Sequence, residues 1–183
     1  MKWRKLGRVF IPNGSKKWMT SHAYLPTPVL IDNKFRIYVG FWDEFGVKRI
    51  GFVDVAADDP TKVLRISEEP CLDVGEVGTF DSDGVCPSFA SFDVNSSFIR
   101  LYYVGWQLLS GKLSRYIFMG VATSWDGGIS FKRLFDVPLL DRTGNQRFIR
   151  SSCSILKVGD LYYMWYTASN ELIGIRGNLV PSY

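Results

Sequence analysis

The chain has 183 residues, of which 46% are hydrophobic and 22% charged, the balance of one globular domain and not of a disordered polymer. Its net charge of +4 is laid out in alternating blocks: residues 1–50 carry ten Lys/Arg against three Asp/Glu, residues 51–110 three against ten, and residues 111–183 nine against five. Such alternation describes a dipolar molecule and excludes a continuous basic stripe for nucleic acid.

In chain order, the N-terminal "MKWRKLGRVF" has basic residues but no apolar core or small-residue cleavage site of a secretory leader. No apolar run approaches the roughly 20 residues of a membrane span. A cytoplasmic protein with no membrane or nucleic-acid partner is therefore expected. The segments that follow are short, rich in β-branched and aromatic residues, and bounded by Gly, Asn, Asp or Pro: "LGRVFI", "PVLI", "FRIYVGF", "KRIGFVDV", "FIRLYYVGW", "YIFMGVA", "CSILKV" and "LYYMWYT". All are expected to be strands. No segment sustains a helical period. Cys71, Cys86 and Cys153 are odd in number and lack CxxC spacing, which argues for buried small side chains and against a disulfide framework or zinc site.

The strands repeat. "TPVLIDNKFRIYVGFWDEFGVKRIGFVDV", from Thr27, aligns with "CPSFASFDVNSSFIRLYYVGWQLLSGKLSRYIFMGVAT", from Cys86, and with "SCSILKVGDLYYMWYTASNE", from Ser152. Pro28 and Pro87, Gly40 and Gly105, and Gly51 and Gly120 fall at corresponding places. "EPCLD" (69–73) likewise answers "VPLLD" (137–141). Units of roughly 60–70 residues built from strand, turn, strand, loop, strand, turn, strand are the size of a four-stranded propeller blade. The reading is all-β, a single propeller domain over residues 1–183, with blade one at about 22–73, blade two at about 81–141 and the start of blade three at about 150–183. "SWDGGISF" (124–131) fits an Asp-box, in which the Asp126 carboxylate bonds turn amides while Phe131 tucks into the sheet. Asp126 is thus expected to be structural.

The strand openings "TPVLIDNKFRIYVGF" and "CPSFASFDVNSSFIRLYYVGW", the unit "SILKVGDLYYMWYTAS" and the turn "ATSWDGGISF" resemble the five-bladed β-propellers of the arabinanase, β-xylosidase, invertase and levansucrase superfamily of glycoside hydrolases, with the mannoside phosphorylases as relatives. The resemblance implies a site at one end of the central axis, where three acids work as base or nucleophile, pKa modulator and general acid. Here Thr27, Cys86 and Ser151 stand at those places. A full propeller of this kind needs about 300 residues, so a truncated member of about two and a half blades is expected, with open blade edges that offer a route to self-association.

Near the expected blade entrances lie His22, Asp81 and Asp83, Arg147 and Arg150. If the segment is extended, Asp81 and Asp83 face the same way. As a pair they are either acid/base or sugar-hydroxyl ligands, or the polar cap of a turn completed by Gly84. The lone His22 is a candidate acid/base or phosphate ligand. Arg147 and Arg150 match phosphate or carboxylate geometry, unless they are only a solvated loop face. Trp42 with Asp43, Trp106 with Gln107, and Asn170 with Glu171 end the second strands; rings that stack on sugars beside groups that take hydroxyls favour a carbohydrate groove, the alternative being packing between blades. The expectation is a carbohydrate-active protein of glycan or surface-polysaccharide metabolism, as glycosidase, sugar phosphorylase or transferase. Asp83, Asp81 and His22 are the catalytic candidates, the ligand is a carbohydrate or sugar phosphate, and no cofactor or metal is expected. The alternative is a non-catalytic glycan- or protein-binding propeller.

Overall fold

The computed structural model describes residues 2–93, 96, 98–109 and 115–182. Among them every regular element is a strand. Strands β1 (Ser21–Ile31), β2 (Lys34–Trp42), β3 (Lys48–Ala56) and β4 (Val63–Ile66) form one antiparallel meander. Strands β5 (Gly84–Asp93), β6 (Phe98–Leu108), β7 (Arg115–Ser124) and β8 (Lys132–Arg133) form a second. Strands β9 (Ile149–Val158) and β10 (Leu161–Ser169) begin a third, and β11 (Glu171–Ile175) with β12 (Asn178–Ser182) make a separate hairpin. Short parallel bridges, Lys48 to Gly84 and Ile117–Phe118 to Ile149–Arg150, join the meanders into one mixed sheet.

Local chemistry sets the turns. The two-residue connection Asp32-Asn33 closes β1 onto β2 with Asp32 left-handed at φ 52, a backbone that Asp tolerates. The connection Gly159-Asp160 does the same for β9 and β10, with Gly159 at φ 58. β3 is buried along seven consecutive residues, Ile50–Ala56, so it is covered on both faces and reads as an unbroken apolar run with one buried acid, Asp54.

The main core lies between the first two meanders, where Tyr38, Ile50 and Phe52 meet Val85, Leu101, Tyr103 and Phe118. Full burial of one such side chain as Phe52 contributes roughly 1.5–3 kcal/mol. A second cluster, Met19, Val39, Phe41, Val53 and Val55, lies on the other side of the first meander. Polar contacts fix the angle between meanders. Arg36 and Asp54, both buried, form a bidentate pair at 2.7 Å, and Arg36 Nη1 donates to Gly127 O at 2.6 Å. Gly127 belongs to the Asp-box turn between β7 and β8. There Asp126 accepts from the amides of Ile129 and Ser130 and from the hydroxyls of Ser124 and Ser130, while Phe131 is buried edge-on to Tyr38 at 5.3 Å. Burial alone would raise the Asp126 pKa, but these donors hold it at about 2.

"LGRVFI" is not a strand, contrary to expectation. Its Val9 and Phe10 pack against the Phe41 cluster through side chains alone, and Gly7 at φ 90 breaks the extended run. Propensity supplied an extended segment, but the backbone found no neighbouring edge with which to pair.

A candidate ligand cleft where the inner strands converge

The first strand of each meander carries a bulge. In β1 the register slips twice, with His22 and Leu25 left-handed at φ 54 and 52. In β5 the extra residue is Ser88, and in β9 it is Ser152, left-handed at φ 45. A bulge turns side chains out of the pleat and bends the strand, and such features gather beside functional sites. The three irregular stretches face one another. Leu25, Pro26 and Thr27, Pro87 and Ser88, and Ser152, Cys153 and Ser154 line a single cleft of about 450 Å³, completed by Trp165, Tyr166 and Thr167 of β10. The Ser88 hydroxyl ties two of these strands together, taking the Cys153 amide proton at 2.7 Å and lying 3.3 Å from the Cys153 carbonyl.

The lining is hydroxyl, aromatic and thiol, and no carboxylate is among the lining residues. Thr27, Cys86 and Ser151 are buried where the resemblance implies acids. Burial pushes the Cys86 thiol up to about 12 and the Cys153 thiol up to about 11, so neither is a ready thiolate at neutral pH.

Arg150 opens β9 beside this cleft. Its Nη2 donates to Tyr166 Oη at 3.2 Å, its Nη1 to the Asp141 carbonyl, and its Nε is buried with no protein partner. The hydrogen bond from Arg150 is the first cause that lowers the Tyr166 pKa. Tyr166 in turn donates to Gln146 Oε1 at 3.0 Å. Arg147 is exposed on the preceding loop, with its Nε on the Gly144 carbonyl.

Asp81 and Asp83 part company. Residues 77–83 are turn, not extended chain, so the same-face argument does not apply to them. Asp81 is fully buried and accepts from Tyr103 Oη at 2.8 Å, Arg133 Nε at 2.8 Å and Thr79 Oγ1 at 2.9 Å. Arg133 lies on β8, the outer strand, so Asp81 is committed to a buried ion pair. Asp83 is half-buried at the end of the turn. Its amide donates to Trp106 O at 3.0 Å and its carboxylate accepts from the Leu108 amide at 2.8 Å, which holds it beside Trp106 and outside the lining of the cleft.

His22 is exposed and its imidazole stacks on Trp42, with centroids 4.2 Å apart. Its Nδ1 lies 3.0 Å from Ser21 Oγ. Trp42 also takes the Lys48 ammonium 4.3 Å from its ring centre, and Trp106, 5.5 Å from the same ammonium, is buried with Cys86 and Val104. Asp43 is a turn anchor: it accepts from the amides of Phe45 and Val47 and pairs with Arg49 at 2.6 Å. Burial would raise its pKa, but the Arg49 bond and the two amides lower it on balance. Gln107 is half-buried in β6 opposite Tyr116. Asn170 and Glu171 are exposed at the start of the β11–β12 hairpin.

The structure thus gathers Trp42 and Trp106 around Lys48, stacks His22 on Trp42, leaves Arg150 at the cleft through Tyr166, and removes Asp81 to the interior. Lys48, Ser88, Trp165 and Tyr166 escaped the sequence reading. Bulges and cross-strand stacking leave no local signature, although the lysine that opens β3 after the "DEFGV" turn was a findable position. Among the described residues no three His, Cys, Asp or Glu side chains gather as a metal site, and no helix is long and apolar enough to cross a membrane.

No family model matches the chain. Two uncharacterised proteins of Mycobacterium tuberculosis, from strains CDC 1551 / Oshkosh and ATCC 25618 / H37Rv, are each 37% identical over 167 residues, 91% of this chain and 54% of theirs. The chain therefore spans about half the length of the curated relatives it matches. Among solved structures, a glycosyl hydrolase from Bacteroides ovatus superposes with a TM-score of 0.67 at 16% identity, covering 94% of this chain and 57% of that one. A structure described with the GH130 family of mannoside phosphorylases, said to contain glycoside hydrolases that target beta-1,2 mannosidic linkages in Candida mannan, gives 0.67 at 15% identity over 95% and 55%. A family 117 glycoside hydrolase from Zobellia galactanivorans gives 0.60 at 14% identity over 99% and 51%. Fold and likeness together define an all-β protein with a glycoside-hydrolase-like fold.

Proposed function

We propose that this chain forms part of a five-bladed β-propeller that acts on a glycosyl unit, cleaving or transferring it in glycan or surface-polysaccharide metabolism. The three meanders are its blades, with the boundaries expected from the repeat, in a cytoplasmic protein. The observation that carries the reading is the convergence of the bulged stretches of β1, β5 and β9 on one cleft lined by hydroxyls and by Trp165 and Tyr166. Flat rings beside hydroxyl groups are what a pyranose uses, one for its apolar face and the others for its hydroxyls. Asp83 is the acid/base, His22 a second proton-transfer group, and Arg150 orients an anionic group of the ligand.

A second reading, a non-catalytic propeller that binds a glycan or a protein, is favoured by one observation: the lining residues of the cleft include no carboxylate. Two carboxyl groups are the usual requirement for glycoside cleavage. The chain is to be assayed with nitrophenyl glycosides and sugar phosphates, and its glycan affinity measured by calorimetry. The enzyme reading expects turnover that falls at least a hundredfold in Asp83→Asn with affinity retained. Affinity without turnover, unchanged in Asp83→Asn, selects the binding reading, and absence of both ends the carbohydrate proposal for this chain.

A further inference from the structure

Successive residues of a strand point to opposite faces, yet Trp165, Tyr166 and Thr167 all line the cleft. The register of β10 against β9 slips between Tyr166 and Thr167, opposite the bulged Ser152, so the alternation is broken where the three meet the cleft. Among the other lining residues, the Ser and Thr hydroxyls do not ionise at neutral pH, and burial pushes the Cys153 thiol up to about 11. Asp83 and His22 are not in the lining. Tyr166 is left as the lining residue best able to give up a proton.

Its neighbours suit both of its protonation states. Tyr166 Oη accepts from Arg150 Nη2 at 3.2 Å, and the guanidinium carbon of Arg150 stands 5.2 Å from the centre of the Tyr166 ring. Among the described residues no carboxylate pairs with Arg150, so its charge is not already spent on an acid. A guanidinium so placed stabilises a phenolate. The Asp141 carbonyl takes Arg150 Nη1 and fixes the fork. Gln146 Oε1 accepts the phenol proton at 3.0 Å, and the same side-chain amide turned over donates to the phenolate instead. The Arg150 bond is the leading cause that lowers the Tyr166 pKa, ahead of a smaller upward effect of burial. A phenol whose pKa moves toward the working pH is a better proton donor.

We infer that Tyr166 is the proton donor within the cleft, a catalytic residue in addition to those assigned above, and that Arg150 is the positioning residue that stabilises its phenolate. The role of Tyr166 rests on the enzyme reading of the cleft. In the step, the bond between Oη and its hydrogen breaks and the proton passes to the glycosidic oxygen, while the electron pair that joined this oxygen to the anomeric carbon goes to the oxygen. Water adds to the anomeric carbon, and the proton it sheds returns to the phenolate through solvent.

The test needs no substrate at its first stage. Tyrosinate absorption of the whole chain is followed against pH, and the record of Tyr166→Phe is subtracted to isolate Tyr166. The difference should show a phenol that titrates below the ordinary value of about 10, and Arg150→Leu should move it upward. Glycosides of one sugar are then compared by leaving group. Turnover should fall at least about a hundredfold in Tyr166→Phe for methyl glycosides, and stay within about tenfold for nitrophenyl glycosides, whose leaving group needs little help from a proton. Tyr162→Phe, at an exposed position of the same strand, should leave both unchanged. A titration at the ordinary value, or equal losses for the two kinds of glycoside, overturns the inference and leaves the carbohydrate reading standing. Glycan affinity without turnover in the parent ends the enzyme reading, and this role of Tyr166 with it. If Tyr166→Phe fails to fold, an unmoved titration in Arg150→Leu is enough to overturn the pairing.

Discussion

Asp81 and Asp83 are chemically identical and two residues apart, yet one is sealed in the interior under Tyr103 and Arg133 while the other stays half-buried at the end of the turn beside Trp106. The partners that decide this lie 22 and 52 residues along the chain from Asp81, so no local pattern could separate the pair. Removal of a buried ion-pair partner leaves the other charge uncompensated and costs about 3 kcal/mol. Asp81→Ala should therefore lower the stability from urea unfolding by about that amount. Asp83→Ala, which loses one charge-assisted bond from the Leu108 amide, should lower it by about 1.5 kcal/mol. Equal losses would contradict the assignment of Asp81 to structure. Asp126, by contrast, was legible: the Ser124-x-Asp126-x-Gly128-x-x-Phe131 spacing specifies a turn in which the bonds of the Asp126 carboxylate close within four residues.

Among the elements, the strands were readable where apolar and β-branched residues run between turn formers, as in β2, β3, β6, β7 and β10. The two-residue strand β8 was not, because the sheet assigns it through Ala122 and Thr123 and not through its own composition. The repeated glycines were read as matching places, and the structure supplies their reason. Gly120 lies under the Tyr103 ring, and an added Cβ would overlap its Cζ and its Cε1. Tyr103 is fully buried and held by Asp81, so the ring cannot swing away. Gly120→Ala should cost roughly 1–3 kcal/mol by overpacking, measured as a lower urea midpoint with unchanged slope. Stability equal to the parent would show that the second meander is looser than this packing requires. The bulges in β1, β5 and β9, by contrast, could not be read, since a bulge is a mismatch between two strands and exists only once both are paired.

On the scale of the whole molecule, the alternating charge blocks do not simply make a dipole. Lys16 pairs with Glu68, Arg36 with Asp54, and Arg49 with Asp73, so the basic first block closes on the acidic second; Arg133 of the third block closes on Asp81. One region stays open: β10 pairs only with β9 among the described residues, and Leu161, Tyr162, Tyr163 and Trp165 on it are exposed. An apolar strand edge of this kind can template another strand. Sedimentation velocity should therefore show association that rises with concentration and is abolished in the double variant Tyr163→Lys, Trp165→Lys. A coefficient independent of concentration would remove the expectation.

By itself the amino-acid sequence determined the all-β class, the repeat and its turns, and the Asp-box, because each depends on periodicity and on side-chain-to-backbone bonds a few residues long. Tertiary structure alone decided which aspartate was buried, which strands were kinked into the cleft, and that Lys48 came to rest between two indoles. Those outcomes depend on contacts between segments tens of residues apart, and only the closed packing of the meanders selects among them.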